Sequence, residues 1–371
     1  MMKMMSRRSF LKAAAGSIAA MGLLNACGGN GSSTPSGSEE APGKKDFTGA
    51  ELVVATWGWA KAGLRKLAAG FEEQYGCTIV VDPTAGNAPR LNKLMAEKDD
   101  PQADIALLSK SFADKGAADG LFEKIDTSVV TSLGELYDIA QNKEGYGPCY
   151  SMCRYGIMYD KKALEEKNLE APKSYQDLFD DKYAHLVALP AMNSTACPYM
   201  LVAMEEAMGG TQEDVSDAFK LMQDKKDNID VWYSTTADVT TAFSTGECCI
   251  ALFMDINMPG LIGSGFDMVW VDPAEGTIGA PAAINVVKNA KNAELAQLFV
   301  QYVICKETQD KIAECMNEAP CNKNAATPED QKAYLADSEE EIGMIKAFDD
   351  AFINNALDGW IETFNKTVAV Q

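Results

Sequence analysis

Between residues 51 and 108 the apolar positions alternate between two periods. Glu51–Trp57 (ELVVATW) is a short apolar run of strand length. Residues 61–75 then carry Leu64, Leu67, Ala68, Phe71 and Tyr75 at the three- and four-residue spacing of one helix face. A second strand is expected at 78–81, a second helix at 87–97 on the face of Leu91, Leu94 and Met95, and a third strand at 104–108. This βαβαβ alternation implies a parallel sheet covered by helices. The middle behaves the same way, with strands expected at 155–159, 186–189, 229–233 and 249–254 and helices at 198–208 and 213–224. Beyond Pro273 one more strand is expected at 283–287, then helices at 292–305, 307–317, 328–336 and 340–364. Two α/β units and a helical tail predict an α/β protein of two lobes. In open α/β sheets a ligand binds beyond the carboxyl ends of the strands, so residues there are the first candidates.

The first 27 residues follow another pattern. A basic patch precedes a short stretch of Ala, Leu, Ile, Met and Gly, and a cysteine closes it. That stretch is too short for a stable spanning helix and has the layout of a cleaved export signal over 1–26. Ser6-Arg7-Arg8-Ser9-Phe10-Leu11-Lys12 resembles a twin-arginine signal, and Leu24-Asn25-Ala26-Cys27 resembles a lipobox, which makes Cys27 a lipid anchor. Residues 27–46 are rich in Gly, Ser and Pro, the composition of a flexible tether. After the first thirty residues no apolar run reaches the ~18 needed to cross a bilayer. The expectation is an exported protein in the periplasm or on the outer face of the cytoplasmic membrane, held there by the lipid alone.

Composition adds charge and thiols. The chain of 371 residues exceeds one ordinary domain, and its 47% hydrophobic content supports a substantial core. There are 33 basic against 54 acidic residues, a net charge of −21, and loss of Lys3, Arg7, Arg8 and Lys12 with the leader makes the balance more negative. Such a surface keeps the chain soluble, repels nucleic acid and attracts cationic solutes. Of the ten cysteines, nine remain once Cys27 is set aside, an odd number that leaves at least one unpaired within the chain. No Cys-x-x-Cys occurs, so zinc-ribbon and thioredoxin readings have no support. Two readings stay open for the thiols. They are buried small apolar residues, or export has favoured disulfides at Cys149–Cys153 and Cys315–Cys321. Cys248 and Cys249 are adjacent in a strand-like run and should face opposite sides of the sheet.

Four stretches resemble the type II periplasmic-binding-protein family, in the branch of spermidine/putrescine, ferric-iron, thiamine and phosphonate binders. They are 52–59 with the helix after it; Tyr155-Gly156-Ile157-Met158-Tyr159-Asp160-Lys161 with Pro172-Lys173-Ser174-Tyr175-Gln176-Asp177-Leu178; 239–250 (VTTAFSTGECCI); and Asp272-Pro273-Ala274-Glu275-Gly276-Thr277 leading to 288–294. The likeness spans about 47–330. It implies two lobes joined by hinge strands, lobe one being 47–154 with 273–371 and lobe two 155–272, with a solute held between them. It further implies hinge closure, delivery to a membrane permease powered by a separate ATPase, and a monomer.

The candidate ligand groups are those beyond the expected strand ends. Trp57 and Trp59 flank Gly58 after the first strand, where they form either core or a wall that stacks on a ring or a cation. Ser109, with Lys110 and Ser111, follows the third strand, and its hydroxyl either caps a helix or meets a solute. Asn193, Ser194 and Thr195 repeat that logic before the helix at 198. Tyr150 and Ser151 lie near the first hinge. Ser234, Thr235 and Thr236 suit either a turn or the cleft. Asp255 and Asn257 follow the 249–254 strand, and Asp255 is the leading acidic candidate; Glu275 fits a turn as well as a site.

The solute is not named by these residues. Within the resemblance, polyamine binders carry an aromatic and an acid where this chain reads Gly279-Ala280-Pro281-Ala282, and ferric binders carry a tyrosine pair where it reads Phe253-Met254-Asp255-Ile256. Hydroxyl-rich loops favour an anionic or polyhydroxy solute; the tryptophans, Asp255 and the acidic surface favour an organic cation. The sequence implies no cofactor and no metal centre. An enzyme is the rival class, but the lone His185 lies beside a strand, and no G-x-S-x-G, H-E-x-x-H or phosphate loop is found. A surface sensory protein of the same fold is the third reading.

Overall fold

The computed structural model describes residues 46–84, 86–346 and 348–369, with all but the side chain of residue 351 included. The export signal, Cys27 and nearly all of the tether lie outside the described residues. The elements of the first part are β1 (Glu51–Trp57), α1 (Lys61–Tyr75), β2 (Thr78–Thr84), α2 (Asn87–Ala96), β3 (Ile105–Ser109) and α3 (Lys110–Ala118). β4 (Cys149–Asp160), α4 (Lys161–Glu166), β5 (Val187–Pro190), α5 (Ala196–Ala207), α6 (Ser216–Asp224), β6 (Val231–Tyr233) and α7 (Thr236–Thr245) follow. Then come β7 (Ile250–Met254), α8 (Met258–Gly263), β8 (Met268–Val271), β9 (Thr277–Val286), α9 (Ala293–Ile304) and a C-terminal helix, Asp350–Thr367. Among the described residues no helix is long and apolar enough to cross a membrane.

α1 forms where the apolar spacing places it, burying Leu64, Leu67, Ala68 and Phe71. It stops at Gly76, which takes φ 72° and returns its N–H to Glu72 O. A side chain at Gly76 would also meet Thr48 Oγ1 at 2.7 Å, so both the conformation and the space require glycine.

The described residues build an eleven-stranded sheet whose main path runs β2-β1-β3-β9-β4-β7-β5-β6. β1 is parallel to β2 and β3, and β5 is parallel to β6 and β7. β9 runs antiparallel to both β3 and β4, and β4 antiparallel to β7. β4 is the crossover strand. Its first half pairs with β9 on one edge and Ala319–Pro320 on the other; its second half pairs with β8 and β7. Burial follows this division. Leu52, Phe71, Ile105, Ile284 and Phe299 belong to one cluster, which continues along one face of the β4–β7 part through Met158, Ala251 and Phe253. Ile157, Leu189, Met200, Leu201 and Leu252 form the other.

Several expectations are corrected. β4 starts six residues before the expected 155, and β9 starts at Thr277, not 283. Pro281 hid the start of β9, because proline lacks a ladder N–H. The strand accommodates it since β3 pairs only from Ala282 onward and Ile345–Lys346 only at 277–278, leaving one neighbour beside Pro281. The expected helix at 328–336 is a run of turns, where Tyr334 O accepts from Arg154 Nη2 at 3.0 Å. α7, unassigned from pattern, is fixed by a capping box between Thr235 and Asp238. The C-terminal helix packs in the second cluster through Ile353, Phe364 and Val368, with Phe364 edge-on to Trp232 at 5.1 Å.

Of the two readings of the thiols the structure agrees with the first: all nine described cysteines are free, and neither candidate disulfide is formed. Cys149 and Cys153 are four residues apart on one extended strand, about 13 Å at strand rise and beyond disulfide reach. Cys315 is part-exposed at a helix end, while Cys321 is fully buried. Seven of the nine are buried, in the manner of small apolar residues. Cys248 joins one core cluster and Cys249 the other, the opposed facing expected of neighbours.

Candidate functional site

Because β1, β2 and β3 are parallel, their carboxyl ends share one edge of the sheet, where α1, α2 and α3 begin. None of these three helices has a side-chain cap on its first turn. Ser109 is therefore no cap: its backbone N–H donates to Asn87 Oδ1 at 3.1 Å. Trp57 and Trp59 stack at 5.7 Å with 26° between their planes, Trp57 half-buried and Trp59 54% exposed. Beneath them lies Arg90, a residue that pattern reading missed because it sits in the apolar stripe of α2. Its guanidinium is fully buried, 4.5 Å from the Trp57 ring centre, and Nη1 donates to Leu107 O at 2.6 Å. Nε and Nη2 have no hydrogen-bond partner. Burial lowers its pKa to about 10, which leaves it cationic at neutral pH. A buried cation with unmet donors is costly unless an anion meets it.

The second part of the site lies on β4. Tyr150 stands at the register shift between Cys149 and Ser151, fully buried with an unpartnered hydroxyl, and is electrostatically coupled to Glu318 and to Arg90. Ser151 and Cys153 share one face of the strand, and the pairing of Ala319 with Met152 sets Glu318 opposite Cys153. Cys153 Sγ lies 3.4 Å from Glu318 Oε1, while Glu318 Oε2 and Ser151 Oγ are buried without hydrogen bonds. Burial pushes the Glu318 carboxyl up to about 6. Tyr155, two residues further on the same face, is half-buried and engages the Thr195 side chain. Thr195, Ser194 and Asn193 form the β5–α5 loop, where Asn193 Oδ1 accepts from Ser234 Oγ at 3.0 Å and Ser194 Oγ is buried and unpartnered. One face of β4 thus joins Glu318, Ser151 and Thr195.

Asp255 has other company. It is fully buried, accepts from Arg154 N at 3.1 Å and Ile256 N at 2.8 Å, and lies 3.9 Å from Arg154 Nε. Burial pushes its carboxyl up to about 8, against the opposing pull of Arg154. Arg154 Nη1 also binds Asp272 at 3.0 Å, and Trp270 Nε1 donates to the same oxygen at 2.8 Å. Asn257 Nδ2 is turned to Met254 O at 3.2 Å. Glu275 accepts from Tyr175 N and Gln176 N, at 3.0 and 3.3 Å, and so anchors a turn. His185 is exposed and pairs with Asp230 at 2.9 Å. Among the described residues no group of three or more His, Cys, Asp or Glu is placed to hold a metal ion.

Residues 66–337 match the model of the bacterial extracellular solute-binding protein family. The chain belongs to this family. As a solute-binding protein it resembles the crystal structure of an ABC transporter from Clostridium perfringens at 31% identity, covering 85% of this chain and 99% of that one with a TM-score of 0.73. The α/β, two-lobed binding-protein fold expected from the sequence is the fold this chain shares with that structure. An uncharacterized protein of Haemophilus influenzae is 24% identical over 61% of this chain, which spans 65% of that protein's length. A putative 2-aminoethylphosphonate-binding periplasmic protein of Salmonella typhi is 22% identical over 74% of this chain and 79% of its own. The sequence reading named Trp57, Trp59, Ser109, Tyr150, Ser151, Asn193, Ser194 and Thr195 as candidates and did not name Arg90, Tyr155 or Glu318, which the fold sets beside Trp57, Thr195 and Cys153 respectively. A charged residue inside an apolar helical stripe was the available signal for Arg90.

Proposed function

We propose that this solute-binding protein captures a small solute bearing an oxyanion between its lobes and delivers it to the permease of an ABC-type importer. The carrying observation is Arg90: a buried guanidinium, backed by the Trp57 ring, with two nitrogens unpartnered. The uncapped starts of α1, α2 and α3 at the same edge add oriented N–H groups that favour negative charge. Tyr150, Ser151, Ser109, Ser194 and Thr195 supply hydroxyls. The relative named for 2-aminoethylphosphonate agrees with an oxyanion. An organic cation alone is less well served, because Asp255 is engaged by Arg154.

In this reading lobe one comprises 47–154 with 273–346, and lobe two 155–272 with the C-terminal helix, which packs there. β4 and β9 cross between them, and closure about these strands sequesters the solute. The leader and Cys27 place the protein at the outer face of the membrane as a lipoprotein. Isothermal titration with 2-aminoethylphosphonate, ethylphosphonate, inorganic phosphate and putrescine tests the solute class. Binding of one or more oxyanions, weakened at least tenfold in Arg90→Gln, supports it. Binding of putrescine alone would reassign the protein to cationic solutes.

A further inference from the structure

The candidate site has a second charged pole. Glu318 is 1% exposed, and its Oε2 is buried with no hydrogen-bond partner. It stands across from Cys153 on the face of β4 that also carries Ser151 and Tyr155. Arg90 is held on Leu107 of β3, which pairs with Ile284 of β9, and β9 pairs Ala283 and Ala282 with Cys149 and Ser151 of β4, so two strand spacings, about 10 Å, separate the Arg90 anchor from Tyr150. Tyr150 to Cys153 is three residues, about 10 Å along a strand, and both long side chains shorten the gap. Hydroxyls of Tyr150 and Ser151, both unpartnered, fill the interval.

An anion-only solute would satisfy Arg90 and leave Glu318 a buried carboxyl with no cation beside it. A cation-only solute would do the reverse. A solute carrying both charges on a short chain satisfies both poles, and the hydroxyls between accept or donate to its backbone. Resting on the oxyanion reading above, we infer that the protein selects zwitterions: a primary amine paired with Glu318 at one end and an oxyanion on Arg90 at the other, separated by a few bonds.

The burial of Glu318 explains how selectivity arises. Burial raises the carboxyl to about 6, so near pH 7.5 it is charged and buried with no cation beside it until an ammonium arrives. The amine then contributes only when it arrives, which separates a zwitterion from its amine-free analogue.

The test uses the soluble chain from residue 46 onward, titrated with 2-aminoethylphosphonate, ethylphosphonate and ethylenediamine. For the unmodified protein, 2-aminoethylphosphonate is expected to bind at least tenfold tighter than either single-charge analogue. In Glu318→Gln that advantage collapses to under threefold, while ethylphosphonate affinity stays within threefold of the parent. Equal binding of ethylphosphonate and 2-aminoethylphosphonate by the parent overturns the amine pole and leaves the oxyanion reading standing. So does a Glu318→Gln variant that loses both ligands equally. If neither oxyanion binds, both readings fall. Should Glu318→Gln not fold, the parent's own ranking of the three probes still decides.

Discussion

The Arg90 guanidinium lies 4.5 Å from the centre of the Trp57 ring, with its Nη1 tied to Leu107 O at 2.6 Å. The ring lies against a cation whose other two nitrogens are buried without hydrogen-bond partners. Such a contact is worth about 0.5–1 kcal/mol when exposed and about 2 kcal/mol when desolvated. Trp57→Ala should therefore weaken oxyanion binding roughly tenfold by titration, and Trp57→Phe should restore part of it. Since Trp57 is only half-buried, the thermal midpoint without ligand should fall by a few degrees at most.

Arg154 is the centre of a buried knot. It contacts Asp255, Asp272 and Tyr334 O, and its guanidinium lies 5.4 Å from the Trp270 ring centre. Removing it takes the ionic partner from Asp272 and the compensating charge from the fully buried Asp255, whose carboxyl already lies near 8, which costs up to about 3–5 kcal/mol. Arg154→Met should lower the urea midpoint accordingly. Adding Asp255→Asn to Arg154→Met should recover part of the loss; no recovery would mean that the damage comes from packing.

The zwitterion preference should depend on pH. Glu318 is neutral below about 6 and charged above it. Groups facing it are Cys153 on β4, Tyr150, Cys321 beyond Ala319–Pro320, and Asp255 at the end of β7. The ammonium needs the charged form, so the advantage of 2-aminoethylphosphonate over ethylphosphonate should hold near pH 7.5 and shrink towards pH 5, by up to about tenfold per unit. The two phosphonates ionise at different pH, because the ammonium of one lowers its second ionisation, so the same ratio is measured in Glu318→Gln as the reference. A ratio with the same pH dependence in the parent and in Glu318→Gln would exclude Glu318 as the partner.

The thiols make a further prediction. Cys305 and Cys315 are part-exposed, and the other seven described cysteines are buried. Burial pushes the Cys149 thiol up to about 12 and Cys249 to about 11, away from reactive thiolate. In the chain from residue 46 onward, Ellman's reagent should titrate at most two thiols in buffer and nine in guanidinium. A lower denatured count would reveal a disulfide.

Export can be tested independently of the fold. Cys27→Ala should move the protein from the membrane fraction to the soluble one, and an unchanged distribution would refute the lipobox.

The order of strands and helices in the first part, the start and end of β1 and α1, and the family were set by the sequence, because apolar periodicity and four ordered motifs are local properties. The Trp57–Trp59 pair was legible for the same reason: a strand's carboxyl end can be found from the strand alone. The chemistry of the site was not. Arg90, Glu318 and Asp255 differ in role according to what the folded chain sets beside them. Asp255 followed a strand as a site acid should, yet Arg154, 101 residues away, occupies it. Glu318 carries no signal in the local pattern, and pairing across 165 residues buries it opposite Cys153. Pairing partners distant along the chain decide which charges are satisfied and which stay unpartnered, and that is a property of the tertiary structure alone.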